Sequence, residues 1–350
     1  MLSLILFLII LGTIVLIHEF GHFIFSKIFG VYVYEYSIGM GKKVWSFKPD
    51  GSETEYCLRL IPIGGFVRLA GEEGEDGDKS VSKDRKLYNK SFIQRFLIFF
   101  MGPGFNMVLA FVALFVSCLI FGGSIATTTL EGVNEKYPAY KAGIRDGDVL
   151  LSINDENVST WTQARLKIGT IESGATIKFK LKDTNGNVKE VLVTPDKITG
   201  DDGKDTYVYG VGAKMNKYKG FFASIQYGFL EFKEILLSMV DTLKLLFTGK
   251  LGVNDLSGPV GIYEVVDKQA QYGVGNLLYL LAYLSVNVGV INLIPFPAFD
   301  GGHILFLLIE KIRRKPVSAN VEATITGIGF ILLMILMVYV TFHDVFNLIK

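Results

Sequence analysis

Predominantly apolar runs long enough to cross a lipid bilayer recur four times along this chain. They cover residues 2 to about 24, about 96 to 121, about 277 to 294 and about 325 to 342. Each is close to the roughly 20 residues that a helix needs to span a hydrocarbon core. Phe221–Phe247 is apolar as well, but Glu231, Lys233, Glu234, Asp241 and Lys244 interrupt it. That pattern predicts an amphipathic helix lying on the membrane surface rather than a fifth span. Strand-like alternation marks residues 44–47 and 56–60 on either side of Pro49-Asp50-Gly51, and residues 64–69 could add another strand. This is either a small cytoplasmic hairpin or a β-element dipping beside an active site. Residues 72–90 are acidic, then basic, and glycine-rich, which predicts a flexible loop.

A different pattern fills the stretch between the second and third runs. Residues 138–154 form a turn-rich lead into an alternating strand, and residues 160–171 suit a short helix closed by Ser173-Gly174. Residues 177–181 and 188–193 alternate around Asn185-Gly186, a strong hairpin signal. Size and order resemble a PDZ domain of the bacterial, circularly permuted type. Such domains capture peptides by adding a strand to a sheet edge. A spacer without a ligand is the alternative.

Composition agrees with a membrane protein: of 350 residues, 50% are hydrophobic and 20% charged, and the mean hydropathy is +0.40. A net charge of +1 gives no reason to expect nucleic acid as a partner. Lys311, Arg313, Arg314 and Lys315 outnumber Glu310 in the link between the third and fourth runs, so that link is expected in the cytoplasm. With four spans, both termini and residues from about 122 to 274 then lie outside. No Lys or Arg comes before Lys27, and no small-x-small site follows the first run, so it is read as retained and not as a cleaved signal peptide. Cys57 and Cys118 lack CxxC spacing and support neither a disulfide framework nor a cysteine zinc site.

The candidate chemistry lies in the first run, which ends in His18-Glu19-Phe20-Gly21-His22. Histidines four residues apart share a helix face and can grip one zinc ion. The glutamate between them can take a proton from a zinc-bound water. Strongly polar residues at bilayer depth cost about 2.5–3.5 kcal/mol each on insertion scales, so a cluster of them calls for a compensating partner such as a metal ion. The bland alternative is a helix with incidental polar residues near the headgroups.

A catalytic zinc usually has three protein ligands and an open position. Asp300 is a candidate third ligand, set in residues 292–303, where Pro295 and Pro297 break the third run. Irregular backbone at that depth survives only when buried in protein or lining a wet cavity. Asp300 could also simply cap the helix that resumes at Gly301, and His303, one turn on, is the rival ligand. His343 and Asp344 read as interfacial polar residues.

HEFGH in the first run, Gly102-Pro103-Gly104-Phe105-Asn106 in the second, the PDZ-like stretch, Leu256–Ile262 (LSGPVGI) and NLIPFPAFDGGH at 292–303 together resemble the site-2 protease family, in its bacterial regulator of sigma-E type. The likeness covers nearly the whole chain, and the order of its motifs is far more specific than HExxH alone. It implies zinc held by His18, His22 and Asp300, Glu19 as the base that activates water, and Asn292 with Pro295 and Pro297 holding substrate backbone. It also implies a membrane re-entrant β-element at about 43–70. One PDZ-like domain fits in this chain, whereas some relatives carry two. Glycine-mediated helix packing is the bland account of GPGFN and LSGPVGI.

The expected fold is a polytopic α-helical membrane protein with four transmembrane helices, a membrane-associated β-hairpin element and one inserted α+β PDZ-like domain. Its expected divisions are 1–121, 122–217, 218–273 and 274–350. The expected activity is zinc-dependent hydrolysis of a peptide bond in or near a membrane helix of a single-span protein, such as an anti-sigma factor or a remnant signal peptide. The setting is the bacterial plasma membrane, with the PDZ-like domain, and any peptide it binds, outside the cytoplasm. The rival is a non-catalytic membrane metal-binding protein or PDZ scaffold, which would have no need of a base at Glu19.

Overall fold

Four helices in the computed structural model are long and apolar enough to cross a membrane, and the described residues are 2–72, 80–199, 205–252 and 256–349. In chain order, α1 (Leu2–Ile28) is followed by β1 (Val33–Phe47), β2 (Glu55–Leu69) and α2 (Phe92–Phe121). Next come β3 (Gly123–Leu130), α3 (Pro138–Lys141), β4 (Val149–Ile153), β5 (Glu156–Asn157) and α4 (Trp161–Gly169). Five strands follow: β6 (Ile177–Lys182), β7 (Val188–Val193), β8 (Asp196–Thr199), β9 (Asp205–Val208) and β10 (Ala213–Tyr218). The chain closes with α5 (Phe221–Phe247), α6 (Pro259–Ala270), α7 (Val274–Asn292), α8 (Asp300–Arg313) and α9 (Ala319–Ile349). The spanning candidates are α1, α2, α7 and α9. Chain contacts divide the molecule into Met1–Leu114 with Gly252–Lys350, and Phe115–Leu251.

In the first unit, apolar side chains hold the helices together along their length and polar ties hold their ends. Phe7, Ile10 and Ile14 of α1 pack with Val266 of α6 and Leu280 of α7. At one end of α1, Ser3 donates to Asp267 of α6. Past the other end, Glu53 receives both Lys27 and Arg85 at 2.7 Å. Arg95 at the start of α2 pairs with Glu310 of α8 at 2.7 Å. These charged groups pair at or beyond the helix ends, away from the apolar middles of the spans, as the cost of burying charge in hydrocarbon requires.

Residues 256–262, read from sequence as part of a linker, carry the start of a helix. The first turn of α6 lies against the far end of α9, where Asp344 accepts the Gly261 N–H at 2.9 Å. A Cβ at Gly258 would stand 2.8 Å from the same carboxylate oxygen. The acid therefore caps the α6 N-terminus from another helix, where free N–H groups and the helix dipole favour a negative charge. This also gives Asp344, buried in the structure, a role beyond an interfacial polar residue.

The β-element is larger than the short hairpin the alternation suggested, because β1 and β2 are each 15 residues long. Tyr36 stands opposite both Val67 and Tyr56, Ser37 opposite Phe66 and Cys57, and Ile38 opposite Gly65 and Leu58. The long strands thus fold over on themselves, with residues 35–38 between residues 65–68 on one side and 55–58 on the other. Residues 45–47 add to the far side of 56–58. Gly39 and Gly41, at φ +83° and +82°, supply the left-handed backbone of the first reversal. The 65–69 stretch forms one margin of this sheet among the described residues, and it lies beside α1.

In the second unit the sheet order is β10-β3-β4-β6-β7, with β5 added to β4, and β8-β9 form a separate pair. The Asn185-Gly186 hairpin is present as read from sequence, with Ile177 opposite Val193 and Lys182 opposite Val188. Phe179, Leu181, Leu150 and Ile153 centre its core. Thr160 caps α4 by accepting the Gln163 N–H at 3.1 Å. Two of the charges that made α5 look like a surface helix point instead at α4: Asp241 accepts from Gln163 at 2.7 Å, and Glu234 is hydrogen-bonded to Thr162 and Thr160. Phe222, Phe229 and Phe247 remain exposed on α5, so the helix keeps an apolar face.

Replacing Asp344 by alanine should strip the α6 N-terminus of its partner. A lost buried acceptor of this kind costs about 1–3 kcal/mol. The expected outcome is a lower midpoint for Asp344→Ala in thermal unfolding of the detergent-solubilised chain, with Asp344→Asn in between. An unchanged midpoint in Asp344→Ala would show that the cap contributes nothing.

Candidate metal centre and its surroundings

His18 and His22 lie one turn apart on α1, and their Nε2 atoms converge to 3.2 Å. Asp300 arrives from another direction as the first residue of α8. Its Oδ2 is 3.1 Å from His18 Nε2 and its Oδ1 3.3 Å from His22 Nε2. Among the described residues, these three form one of two groups whose donor atoms are close enough to share an ion. The other, Glu35, Glu55 and Cys57, is engaged with Arg59 and Lys43. Zinc bonds of about 2.0–2.1 Å at tetrahedral angles put ligand atoms about 3.3–3.4 Å apart. The donor spacing at His18, His22 and Asp300 fits that requirement, and without a cation two imidazoles would crowd edge to edge.

Sequence explains how each donor is delivered. The histidines need only an uninterrupted helix. Asp300 needs an interruption: α7 ends at Asn292, Pro295 and Pro297 prevent helix from resuming, and Ala298 takes a positive φ of +84°. Gly301 then sits so close to the Leu293 and Ile294 carbonyls that a Cβ would overlap them. That contact folds the break over the first turn of α8 and fixes the Asp300 carboxylate at the histidines.

The second helix is shaped to the same end. A Cβ at Gly102 would overlap the His22 imidazole, and one at Gly21 would overlap the Met101 carbonyl. The glycines of the GPGFN motif and of HEFGH therefore let α1 and α2 touch backbone to backbone. On that face, His22 Nδ1 is 2.8 Å from the Ile98 carbonyl and His18 Nδ1 is 3.3 Å from Nδ2 of the fully buried Asn106. The sequence carries one signal of this contact: the four-residue spacing from Gly102 to Asn106 equals that from His18 to His22.

His18, Glu19, His22, Asn292 and Asp300 all line one cavity of about 280 Å³, together with Phe66 and Val67 of β2. Pro295 and Pro297 are not among its lining residues. Asn292 donates to the Val288 carbonyl at 3.0 Å, which leaves its carbonyl oxygen available. Glu19 accepts the Val67 N–H, and Gly65 packs on its side chain, where a Cβ would stand 3.2 Å from Glu19 Cγ. His303 lies on the cavity wall but outside the donor group: its Nδ1 pairs with Glu322 of α9 at 3.1 Å, and its ring stacks on Phe99 at 4.8 Å. Glu72, unnoticed in the sequence because it opens an acidic run, also faces the cavity. Burial pushes its carboxyl up to about 7.

Residues 6–336 match the model of peptidase family M50. The chain belongs to that family. The zinc metalloprotease RasP of Bacillus licheniformis is 32% identical over 420 aligned positions covering 98% of each chain, and that of Shouchella clausii is 32% identical with 99% of each covered. A Clostridium acetobutylicum chain named as a candidate zinc metalloprotease is 36% identical over 335 residues, 95% of this chain and 94% of its own. The Bacillus alignment is longer than the 350 residues here, so that relative carries residues this chain lacks.

Gly102→Ala should push the His22 ring from its seat. Overpacking of this kind costs about 1–3 kcal/mol. Thermal unfolding of chelator-treated protein should show a lower midpoint than wild type, whereas Gly12→Ala, with open space around its Cβ, should not. Equal midpoints for all three proteins would contradict the close helix contact.

Proposed function

We propose that this chain is an intramembrane zinc metalloprotease in which His18, His22 and Asp300 hold the metal and Glu19 is the general base. The observation that carries this reading is the convergence of His18 Nε2, His22 Nε2 and the two Asp300 carboxylate oxygens at 3.1–3.3 Å, beside Glu19 in a family M50 peptidase. Zinc, when bound, supplies Lewis acidity toward the scissile carbonyl and makes water nucleophilic near neutral pH. Glu19 takes the proton of the attacking water on a carboxylate oxygen and returns it to the leaving amine nitrogen. The Val67 N–H fixes that carboxylate's orientation.

A substrate helix ties up its carbonyls in its own hydrogen bonds, so it must be extended before attack. Residues 65–69 offer a sheet margin along the cavity, where an extended segment can pair with backbone. Leu58, in contrast, has strand neighbours on both sides and is closed to such pairing. Asn292, opposite, contributes its free carbonyl oxygen to substrate backbone. The chemistry suits single-span membrane proteins, such as anti-sigma factors or remnant signal peptides, in a bacterial plasma membrane. The sheet of the second unit fits a PDZ-like domain outside the cytoplasm that selects what reaches the site. The polar ends of the helices support the orientation: Lys27, Arg85 and Arg95 cluster at the end assigned to the cytoplasm.

The deciding experiment measures zinc stoichiometry and cleavage of a reporter membrane helix in liposomes. Glu19→Gln should keep zinc and lose turnover by about 10²–10⁴-fold. Asp300→Ala should lose both, and His303→Ala should keep most zinc. Near wild-type cleavage by Glu19→Gln would sink the mechanism, and a zinc-loaded wild type that cuts nothing would favour the metal carrier.

A further inference from the structure

His18 and His22 present the same nitrogen, Nε2, to the third donor. A neutral imidazole has one N–H, and a nitrogen that binds a metal must offer its lone pair. Both rings must therefore carry their proton on Nδ1. For His22 the requirement is met by main chain, since Nδ1 is 2.8 Å from the Ile98 carbonyl, which can only accept. For His18 the partner 3.3 Å from Nδ1 is the side-chain amide of Asn106. An amide can either accept or donate, and heavy-atom positions alone do not fix its orientation. The other amide atom of Asn106 is buried with no protein partner, so nothing on that side holds the amide the opposite way round. The residue itself is well fixed: Ser285 of α7 donates to its backbone carbonyl at 3.0 Å, and none of its surface is exposed.

We propose that Asn106 is a positioning residue for the metal centre: its Oδ1 accepts the His18 Nδ1–H, which holds the ring in the tautomer whose Nε2 faces the metal. This rests on the assignment of His18 as a ligand. It also gives the end of the GPGFN motif a chemical role. α1 and α2 run antiparallel in contact, so the step from Gly102 to Asn106 matches the step from His22 back to His18. Gly102 makes room for one ring, and Asn106 orients the other. Partners of this kind behind a ligating histidine typically account for 10–100-fold in metal affinity.

The test uses the full chain in detergent and two readouts that do not depend on turnover. The first is zinc affinity by chelator competition. Asn106→Leu, similar in branching but unable to accept, should bind zinc about 10–100-fold more weakly. Asn106→Asp, which still accepts, should stay within a few-fold of wild type. The second is the proton–nitrogen spectrum of histidine-labelled, zinc-loaded wild type, in which four histidines contribute and His18→Gln identifies the His18 signals. His18 should be bound through Nε2 and show an Nδ1–H moved downfield by a hydrogen bond. Binding through Nδ1, or an Nδ1–H with no hydrogen-bond shift, overturns the proposal, and this readout decides alone if Asn106→Leu does not fold. Zinc affinity in Asn106→Leu equal to wild type, or equally weakened in Asn106→Asp and Asn106→Leu, also overturns it. A wild type that binds no zinc overturns the metal-site assignment itself, whereas tight zinc in both wild type and Asn106→Leu removes the positioning role alone.

Discussion

The contact of α1 with α2 at Gly21 and Gly102 is the constraint on which the rest of the site depends. Two imidazoles and two carboxylates at bilayer depth are expensive unless every polar atom has a partner. The Nε2 atoms and Asp300 face one another within reach of a shared cation, but the outward-facing Nδ1 atoms need partners from another helix. Those partners, the Ile98 carbonyl and the Asn106 amide, come within 2.8 and 3.3 Å because no side chain stands between the helices. Any Cβ at Gly102 would occupy the position of the His22 ring.

The donors reach the centre by opposite means, and this has a consequence for function. A continuous helix sets His18 and His22 with the rigidity of its own hydrogen bonds. Asp300 comes from broken backbone, held by carbonyl contacts over Gly301 and by the positive φ of Ala298. Such a break leaves backbone groups without helical partners, which a wet cavity tolerates and lipid does not. The same break leaves Asn292 at the cavity wall. The Asp300 carboxylate beside the histidines and the polar lining next to it therefore arise from a single interruption of the third apolar run.

Much of this was legible in the chain itself. The four apolar runs appear as helices because length and lack of charge dictate them, and the Asn185-Gly186 hairpin appears because its turn chemistry is local. HEFGH and Asp300 stood out because polar groups in apolar runs have few explanations. What escaped reading depends on contacts between distant segments. The folded-over pairing of β1 and β2 is a matter of register, which alternation of 44–47 and 56–60 does not encode. The charges of α5 suggested water, but Glu234 and Asp241 meet the polar start of α4. Asp344 looked interfacial because nothing near it in sequence reveals the α6 N-terminus that it caps.

The glycine motifs show why such contacts resist reading from one sequence. GPGFN and SGPVG have similar composition, yet one clears space for an imidazole and the other for a carboxylate. At Gly102 the neighbour is a ring whose direction must be set; at Gly258 and Gly261 it is an acid that needs free N–H groups. Close packing is common to both, as lipid-embedded helices require small residues wherever backbones meet. What distinguishes them is the polar group delivered by the opposing helix, His22 in one case and Asp344 in the other. A glycine in an apolar run thus marks where a second helix arrives, and its chemistry belongs to the residue that arrives there.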